Sequence, residues 1–285
     1  MTKSSTKHKR RESHPLEDLI RTDRLPHIWC PGCGIGSVFA SCLTGIKNTG
    51  IDYRDFAMVS GIGCSGRGAG YIDIDSFHTT HGRAIPFATG IKMANPDINV
   101  IVFSGDGDLF AIGGNHFIHA ARRNMDITVI CVNNLIYGMT GGQVAATTPY
   151  LAKSSTTAVG NPETPFNLQL LAYASGATYT ARWTMLHTRD LTDAIEDAIN
   201  RKGFSFIEVL SPCPINFGRR NKEKSIETLR KYSENTIIKN GADPSELDID
   251  FDKGIILGKF IDIDKPTHDE KYKKIYWPEK DPGED

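Results

Sequence analysis

Two polar motifs, each directly after an apolar run, carry the clearest chemistry in this sequence. Asp106 stands in a Gly-Asp-Gly turn that follows the run Ile98–Phe103, and Asn134 is the second of two asparagines after the run Ile127–Val132. A carboxylate and an amide oxygen are hard ligands, which suit Mg²⁺ or Ca²⁺. Two side chains cannot complete an octahedral shell, so main-chain oxygen, water or a phosphate must supply the remaining ligands.

The elements around these motifs predict how the two side chains meet. A helix-length segment separates the two apolar runs, and together they indicate one βαβ unit. Parallel strands joined by one crossover helix end at the same edge of a sheet, so Asp106 and Asn134 are predicted to converge. The flanking Gly105 and Gly107 allow a sharp turn and the close approach of a bulky anion. A dinucleotide-binding Gly-x-Gly-x-x-Gly motif is excluded, because Phe110 stands at the third glycine position.

Four cysteines in turns form a second group with metal-binding chemistry. Cys30 and Cys33 make a Cys-x-x-Cys pair, and Cys64 follows a predicted strand. Cys213 follows another predicted strand and stands between two prolines. Cys-x-x-Cys lets two thiolates grip one metal centre, and four thiolates can hold Zn²⁺ or an iron–sulfur cluster. From spacing alone, a cluster, a zinc site, a redox-active pair and unrelated thiols all stay open. The cluster is favoured, partly because a Cys-Pro step recurs in ferredoxin-type ligation.

Alternating strand-like and helix-like segments predict an α/β fold, with a mainly parallel sheet covered by helices on both faces. We expect a flexible N-terminal tail over residues 1–24, one domain over 25–217, and a C-terminal extension or arm over 218–285, where periodicity is lost. The Gly-, Thr-, Ser- and Pro-rich segment 138–165 is predicted to be a long functional loop. The predicted helices are 36–46, 83–93, 166–173 and 188–200, and the further predicted strands are 56–60, 177–183 and 204–210.

Composition and charge narrow the class of protein. Of the 285 residues, 39% are hydrophobic and 24% are charged, as in ordinary globular proteins, and the net charge of −1 argues against nucleic-acid binding. No apolar run approaches membrane-spanning length, and the polar, basic N-terminus does not resemble a signal peptide, so we expect a cytoplasmic protein. Reduced thiols are therefore expected. Cys42 and Cys131 stand in apolar segments and are predicted to be core residues.

Several sequence blocks together resemble a known family. The Gly-Asp-Gly and Asn-Asn motifs are similar to the metal-binding signature of thiamine diphosphate enzymes. The blocks WCPGCG, GIGCSGR, HTTHGRAIPFATGIKMANP, GDGD…NNLIYGMTGGQ and a late PCP, in order across residues 25–220, resemble the β subunit of 2-oxoacid:ferredoxin oxidoreductases. The segments IDSFHTTHGRAIPFATGIK and FGRRNK are most similar to the 2-oxoglutarate branch of that family.

The resemblance implies roles for individual residues. Mg²⁺ would be bound by Asp106, the side chain of Asn134 and the carbonyl of Ile136. One [4Fe-4S] cluster would be held by Cys30, Cys33, Cys64 and Cys213. Thiamine diphosphate would be bound by the loops that contain Gly61, Ile62, Gly63, Cys64, His81, Gly105, Asp106, Gly107, Asp108, Asn134, Ile136, Tyr137, Gly138, Met139 and Thr140.

Weaker candidates concern the substrate and the partners. Arg67 and His81 could bind a substrate carboxylate, because arginine suits bidentate carboxylate recognition, and His78 and His81 precede a helix N-terminus that could meet an anion. A surface position or a packing role is the alternative for each. A basic stretch could meet acidic ferredoxin or coenzyme A phosphates, or could simply be a solvated face; it contains Arg219, Arg220, Lys222 and Lys224.

The family's reaction is the oxidative decarboxylation of a 2-oxoacid with coenzyme A, which gives acyl-CoA, CO₂ and reduced ferredoxin. The resemblance implies 2-oxoglutarate as the substrate, thiamine diphosphate as the electron sink and the cluster as the acceptor of single electrons. Thiamine enzymes activate the aminopyrimidine ring with a glutamate from a separate domain, which a chain of this length would not supply. We therefore expect an obligate α subunit, ferredoxin as the electron acceptor, and a dimer of αβ units.

Three alternatives remain beside this hypothesis. The same chemistry could act on pyruvate or on a branched or aryl 2-oxoacid. A non-redox thiamine enzyme, such as a decarboxylase or carboligase, is less favoured because it has no use for four cysteine ligands. A non-catalytic iron–sulfur electron-transfer or metal-binding protein would bind the cluster without thiamine diphosphate.

Overall fold

Eight strands form one sheet in the part of the chain that the computed structural model describes, residues 14–251 and 253–277. The strands are β1 (Phe56–Ser60), β2 (Asp75–His78), β3 (Asn99–Gly105), β4 (Thr128–Asn133), β5 (Tyr179–Thr184), β6 (Ser205–Leu210), β7 (Thr236–Ile238) and β8 (Ile255–Asp262). Their order is β2-β1-β3-β4-β6-β5-β8-β7. Every neighbouring pair is parallel except β5 and β8.

Helices cover both faces of this sheet, which confirms the predicted α/β fold. The helices are α1 (Ile35–Asn48), α2 (Ala84–Ala94), α3 (Gly114–Arg123), α4 (Leu168–Ser175), α5 (Thr188–Asn200), α6 (Ser225–Glu234) and α7 (His268–Tyr276). On one face α1 and α5 pack together, and their residues Leu43 and Ile195 are fully buried with strand residues such as Ile207. On the other face α2, α3 and α4 bury residues such as Ala88 and Phe117.

The strands that carry the site motifs are buried along their whole length. Every residue of β1, β4 and β6 is buried, because helices cover both of their faces. This explains why their sequences read as continuous apolar runs rather than as alternating patterns. The predicted strand 56–60 and the predicted helix 188–200 coincide with β1 and α5, and the other predicted elements are displaced by a few residues. Asn167 caps α4, because its side chain accepts a hydrogen bond from the backbone N–H of Leu170.

The C-terminal segment predicted to be an extension or arm contributes to the same sheet. It supplies α6, β7, β8 and α7, and β8 pairs antiparallel with β5. Its residues Tyr232, Ile255 and Leu257 are buried in the main core. The sequence did not reveal these elements, because β7 has only three residues and α6 is strongly charged. The short strand β2 was also missed, since its sequence DSFH contains no apolar run.

Part of the predicted N-terminal tail is folded. Residues 1–13 lie outside the described residues. Beyond them, Leu16 and Leu19 are buried in the core and Ile20 forms an isolated bridge with Ile72, so the prediction of a flexible tail is wrong for residues 14–24. Burial of these leucines and backbone hydrogen bonds, such as that from the N–H of Arg21 to the carbonyl of Tyr71, attach the segment to the domain. Across residues 14–251 and 253–277, no helix combines the length and hydropathy needed to cross a membrane.

Candidate functional site

Two adjoining cavities lie at the carboxyl edge of the sheet, where β1, β3, β4 and β6 end. The first, which we call the cofactor cleft, is lined by Ile62, Gly63, Cys64, Ser65, His81, Gly105, Asp106, Gly107, Asp108, Asn134, Ile136, Tyr137, Gly138, Met139 and Thr140. The second, which we call the cysteine cavity, is lined by Ile28, Trp29, Cys30, Cys33, Ile35, Cys64, Asn134, Met139, Ser211, Cys213 and Pro214. Cys64, Asn134 and Met139 line both cavities and therefore form the wall between them.

Asp106 lies at the bottom of the cofactor cleft in a setting that disfavours an isolated carboxylate. Its side chain is 2% exposed, and burial raises its pKa to about 6, although hydrogen bonds from Thr147 and from the backbone N–H groups of Asn134 and Gly107 oppose that rise. The Thr147 hydroxyl donates to Oδ2. A buried carboxylate of this kind is stabilised by a cation. The donor set therefore fits a hard divalent metal ion.

The turn that carries Asn134 is held in an unusual conformation. Leu135 has a φ of 66°, a left-handed conformation that non-glycine residues rarely adopt. Hydrogen bonds stabilise the turn: Oδ1 of Asn133 accepts from the N–H of Leu135, and Oδ1 of Asn134 accepts from the N–H of Ile136, both at 3.2 Å. The Thr148 hydroxyl donates to the carbonyl of Leu135 at 2.6 Å. Backbone strain maintained by its surroundings is common where a loop must present ligands.

A buried polar group under β4 anchors the neighbouring asparagine. Nδ2 of Asn133 donates to Oε1 of Glu208 at 2.8 Å, and Nε of Arg182 donates to Oε2 of the same carboxylate at 2.8 Å. Nε2 of Gln169 also donates to Glu208, at 3.2 Å. Arg182 and Glu208 are fully buried. Because the hydrogen bond to Glu208 fixes the side chain of Asn133 in the protein interior, the next residue, Asn134, faces the two cavities.

Asp108 is the point at which three segments of the cleft meet. Its Oδ1 accepts from the N–H of Ile62 at 3.0 Å, from the N–H of Gly82 at 2.7 Å, and lies 2.6 Å from Nδ1 of His81. Its Oδ2 accepts from the hydroxyl of Ser104 at 2.9 Å. An ionised carboxylate only accepts, so Nδ1 of His81 donates to it. Within the described residues Nε2 of His81 has no hydrogen-bond partner, which leaves it available to a ligand in the cleft.

Asp108 was predicted to bind the cofactor, whereas its two oxygens are occupied by the protein itself. Removing it would leave the N–H groups of Ile62 and Gly82 and the Ser104 hydroxyl without their acceptor, and each such loss costs about 1–3 kcal/mol. We expect Asp108→Ala to lower the free energy of unfolding by about 3 kcal/mol, as measured by denaturant unfolding. The control is Asp193→Ala at an exposed position of α5, which should change it by less than about 0.5 kcal/mol. Unchanged stability of Asp108→Ala would contradict this role.

Gly61 and Gly107 are required because neighbouring side chains lie so close to their Cα atoms that no Cβ would fit. A Cβ at Gly61 would lie 1.8 Å from Oδ2 of Asp108, and a Cβ at Gly107 would lie 2.4 Å from the ring of Tyr137. The hydroxyl of Tyr137 donates to the carbonyl of Gly107 at 3.2 Å, so the ring seals one side of the cleft. These contacts place the predicted residues of the Gly-Asp-Gly turn and of the Asn-Asn loop against each other.

The four cysteines predicted as one group line one cavity. Cys33 is buried, Cys64 and Cys213 are half-buried, and Cys30 is exposed. A Cβ at Gly138 would lie 3.5 Å from Sγ of Cys64 and 3.6 Å from Sγ of Cys213, so both sulfur atoms border the same backbone position. Burial, together with the nearby Cys213, Cys33 and Cys30, raises the pKa of Cys64 to about 11. Thiolates gathered in this way need a positively charged centre between them.

Neighbouring groups hold the cysteine loops in place. The indole N–H of Trp29 donates to the carbonyl of Cys64 at 2.7 Å, and the backbone N–H of Asn216 donates to Sγ of Cys213 at 3.3 Å. Ser211 donates to the carbonyl of Cys33. No three His, Cys, Asp or Glu side chains among residues 14–251 and 253–277 are close enough to bind a single metal ion. The four thiols nevertheless line one cavity, and thiolate ligands suit zinc or an iron–sulfur centre.

Of the weaker candidates, only His81 lines the cofactor cleft. Arg67 is exposed on the short helix that follows Cys64, and His78 is exposed at the end of β2. Burial and the charge of Arg67 lower the pKa of His78. These two residues lie close to each other but outside both cavities. Cys42 and Cys131 are fully buried in the two cores, as predicted.

Two residues with roles at the site escaped the sequence analysis. Thr147, which donates to Asp106, is 2% exposed and lies in the long loop of residues 138–165. This loop has no helix or strand and is held in place by buried polar side chains, such as Asn161, whose Nδ2 donates to the carbonyl of Thr148 at 2.8 Å. Ser104, which donates to Asp108, ends an apolar strand. A threonine in a Thr-rich loop and a serine beside an apolar run carry no sequence signal of these contacts.

Comparison with known proteins identifies the class of domain to which this fold belongs. The family model described as "Thiamine pyrophosphate enzyme, C-terminal TPP binding domain" matches residues 61–209, which begin directly after β1, contain every residue that lines the cofactor cleft and reach into β6. The fold and the cleft therefore define a thiamine diphosphate-binding domain, the class predicted from the Gly-Asp-Gly and Asn-Asn motifs. A cleft at the carboxyl edge of a parallel sheet is the usual ligand position in such folds.

The particular family follows from the curated relatives. The 2-oxoglutarate synthase subunit KorB of Methanocaldococcus jannaschii is 52% identical over 92% of this chain and 97% of its own length, and that of Methanothermobacter marburgensis is 49% identical over 90% of both. A solved 2-oxoglutarate:ferredoxin oxidoreductase from Magnetococcus marinus, with 2-oxoglutarate, coenzyme A and succinyl-CoA bound, covers 93% of this chain and 91% of its own, with a TM-score of 0.82 and 33% identity. The chain belongs to the KorB family of 2-oxoglutarate synthase β subunits, as the resemblance had implied.

Proposed function

We propose that this chain is the β subunit of a 2-oxoglutarate:ferredoxin oxidoreductase. The complete enzyme converts 2-oxoglutarate, coenzyme A and two oxidised ferredoxins into succinyl-CoA, CO₂, a proton and two reduced ferredoxins. The observation that carries the proposal is the shared wall of Cys64, Asn134 and Met139 between the cofactor cleft and the cysteine cavity. An enzyme that withdraws electrons from a thiamine-bound intermediate needs an acceptor site in direct contact with the cofactor site.

In the cofactor cleft, Asp106, Asn134 and the carbonyl of Ile136 would bind Mg²⁺, which neutralises the diphosphate of thiamine diphosphate. The buried, cation-requiring carboxylate of Asp106 supports this assignment. Thiamine diphosphate supplies the nucleophilic carbon and the electron sink when it is bound. His81, oriented by Asp108, would present Nε2 to the diphosphate or to the substrate. Met139, which lines both cavities, would exclude water from the side of the cleft that faces the cysteines, and Tyr137 would cover the side at Gly107.

In the cysteine cavity, Cys30, Cys33, Cys64 and Cys213 would hold one [4Fe-4S] cluster. The single cavity that these thiols line and the electrostatic influence of the other three on Cys64 support a common centre. A cluster accepts one electron at a time, which suits a ferredoxin-dependent oxidation. The hydrogen bond from the N–H of Asn216 to Sγ of Cys213 would stabilise the thiolate and help to set the reduction potential.

A partner subunit would complete the catalytic site. The acidic residues that line the cofactor cleft in the described chain are Asp106 and Asp108, both engaged, and no glutamate lines it. Thiamine diphosphate requires an acidic group at its aminopyrimidine ring, so the partner would supply a glutamate there. We propose an α subunit in this role, with coenzyme A bound mainly by the complex rather than by this chain alone, and a dimer of αβ units as the assembly.

The proposal is tested by expressing this chain with and without its α subunit and assaying coenzyme A-dependent dye reduction on a panel of 2-oxoacids. We expect turnover only for the pair, with 2-oxoglutarate preferred over pyruvate. Substantial activity of the isolated chain would contradict the two-subunit site. A preference for pyruvate, or equal use of several 2-oxoacids, would contradict 2-oxoglutarate as the specific substrate. The substrate would then be a 2-oxoacid in general, as in the name of the 2-oxoacid:ferredoxin oxidoreductase β subunit of Saccharolobus solfataricus, which is 39% identical.

A further inference from the structure

A basic segment wraps around the cysteine cavity from one cysteine loop to another. Cys213 leads directly into a short helix, Pro214–Gly218, and then into Arg219 and Arg220. The chain next reaches α6, whose first residue, Ser225, lies against the loop between Cys30 and Cys33: a Cβ at Gly32 would lie 3.7 Å from Cβ of Ser225. The residues between these two contacts therefore connect two of the loops that carry the cysteines.

The cationic side chains of this segment, which we call the basic rim, are exposed and mostly unpaired. The basic rim consists of Arg219, Arg220, Lys222 and Lys224. Within the described residues no ion pair involves Arg219, Arg220 or Lys222, and Arg220 donates only to a carbonyl, that of Gly141, at 3.3 Å. Lys224 has a loose pair with Glu227 at 3.7 Å. Glu223, the acidic residue inside the segment, is instead neutralised by Lys231 at 3.0 Å.

Exposed apolar side chains lie beside the basic rim. Ile28, which lines the cysteine cavity, is 60% exposed, and Ile226, next to Ser225 on α6, is 63% exposed. Cys30, between these two segments, is exposed as well. An apolar centre with a charged rim is the usual composition of a transient protein interface.

We propose that the basic rim, with Ile28 and Ile226, is the docking surface for an acidic electron carrier protein of the ferredoxin type. This inference rests on the proposed function. Docking would serve a one-electron transfer in which the enzyme loses one electron and the carrier gains one, with no bond or proton exchanged; two transfers balance each 2-oxoacid oxidised. Opposite charges steer such encounters and raise the association rate.

Position distinguishes an electron carrier from the other acidic ligand, coenzyme A. Ser225, which follows the rim directly, lies against the loop between Cys30 and Cys33, where an electron carrier must come close for transfer. The mouth of the cofactor cleft, where the thiol of coenzyme A must arrive, is lined by other residues, among them Ile62, His81 and Thr140. Arg220 alone reaches toward that side, through the carbonyl of Gly141. The test therefore leaves Arg220 unchanged.

The experiment uses the αβ complex and the double variant Arg219→Glu/Lys222→Glu, with a purified acidic ferredoxin as the probe. The dissociation constant is measured directly by biolayer interferometry at several salt concentrations, apart from any assay of turnover. We expect ferredoxin binding to weaken by about 10-fold at low ionic strength, and the difference from wild type to shrink as salt screens the charges. The rate with methyl viologen, a small cationic acceptor, should stay the same or rise.

The matched control is Lys271→Glu/Lys274→Glu, which makes the same charge change on α7. This helix begins beside Asn124, to whose carbonyl the N–H of His268 donates, at the amino edge of the sheet. The control should bind ferredoxin as wild type does.

Two results would overturn the docking surface: ferredoxin binding that is equally weakened in both variants, or ferredoxin binding that is unchanged in the rim variant. The proposed function would stand in either case if the complex still reduces the dye. A 10-fold higher KM for coenzyme A with unchanged ferredoxin binding would overturn the docking surface in favour of a coenzyme A site. Absent dye reduction by the wild-type complex would instead reject the proposed function.

Discussion

An Asp106→Ala variant should lose thiamine diphosphate binding while it keeps the fold and the cluster proposed at the four cysteines. The methyl group cannot ligate Mg²⁺, and without the metal ion the diphosphate would face an uncharged turn. Loss of groups that merely support a metal ligand costs 10–100-fold in affinity, so loss of the ligand itself should weaken cofactor binding by more than about 100-fold. The measurement is calorimetric titration with thiamine diphosphate and Mg²⁺, together with turnover of the αβ complex.

The stability of this variant separates a binding role from a structural one. In the metal-free protein the Asp106 carboxylate is buried and its pKa is raised to about 6, so it does not stabilise the fold as an ion near neutral pH. Asp106→Ala removes this burial penalty together with the hydrogen bonds from Thr147, Asn134 and Gly107, so it should lose less stability than the roughly 3 kcal/mol expected for Asp108→Ala. Asp193→Ala, on the surface of α5, is the control for cofactor affinity. Tight thiamine diphosphate binding by Asp106→Ala would show that the metal ion is held elsewhere.

A Cys213→Ser variant is expected to show the opposite pattern. Serine keeps the size of the side chain but is a poor ligand for iron, so the cluster should be lost or converted, with a large decrease in visible absorption and in ferredoxin reduction. Thiamine diphosphate affinity should remain within about threefold of wild type, because Cys213 lines only the cysteine cavity. Absorption and paramagnetic resonance spectra of protein reconstituted with iron and sulfide give the readout, beside the titration.

The chain offers a matched control for this substitution. Cys42 lies in α1, fully buried, and burial raises its pKa to about 12, which marks a neutral packing thiol. Cys42→Ser should retain the full cluster spectrum and lose only about 1 kcal/mol of stability through the buried hydroxyl. An unchanged cluster in Cys213→Ser would remove this residue from the ligand set. Loss of the cluster in both variants would indicate a general folding defect.

Local sequence patterns were enough to predict the elements that deliver the site. The strand ends that carry Asp106, Asn134, Cys64 and Cys213 could be placed at one edge, because buried parallel strands read as apolar runs and their connections leave little freedom. The cysteine group was also predictable as a set. These features depend on residues close in sequence to the element that positions them, so the pattern and the position coincide.

The unpredicted features all depend on contacts between distant segments. Asp108 was predicted as a cofactor residue because it stands in the Gly-Asp-Gly-Asp block, but its hydrogen bonds go to Ile62, Gly82, His81 and Ser104, which only the folded chain brings together. The approach of Ser225 to Gly32 is of the same kind. So is the pairing of β8 with β5, since a strand that joins a sheet through a bulged antiparallel register has no signature in its own residues.

The antiparallel return of β8 has a consequence for how the chain folds as it is made. On the ribosome, β5 and β6 emerge long before residues 255–262, so the outer edge of β5 stays open during the synthesis of about 70 residues. An open edge of a sheet is a template for pairing with another chain. Nascent β subunits would therefore be most prone to aggregate in this interval, and a truncation before β8 would make that vulnerability permanent even though both cofactor sites lie at other strands.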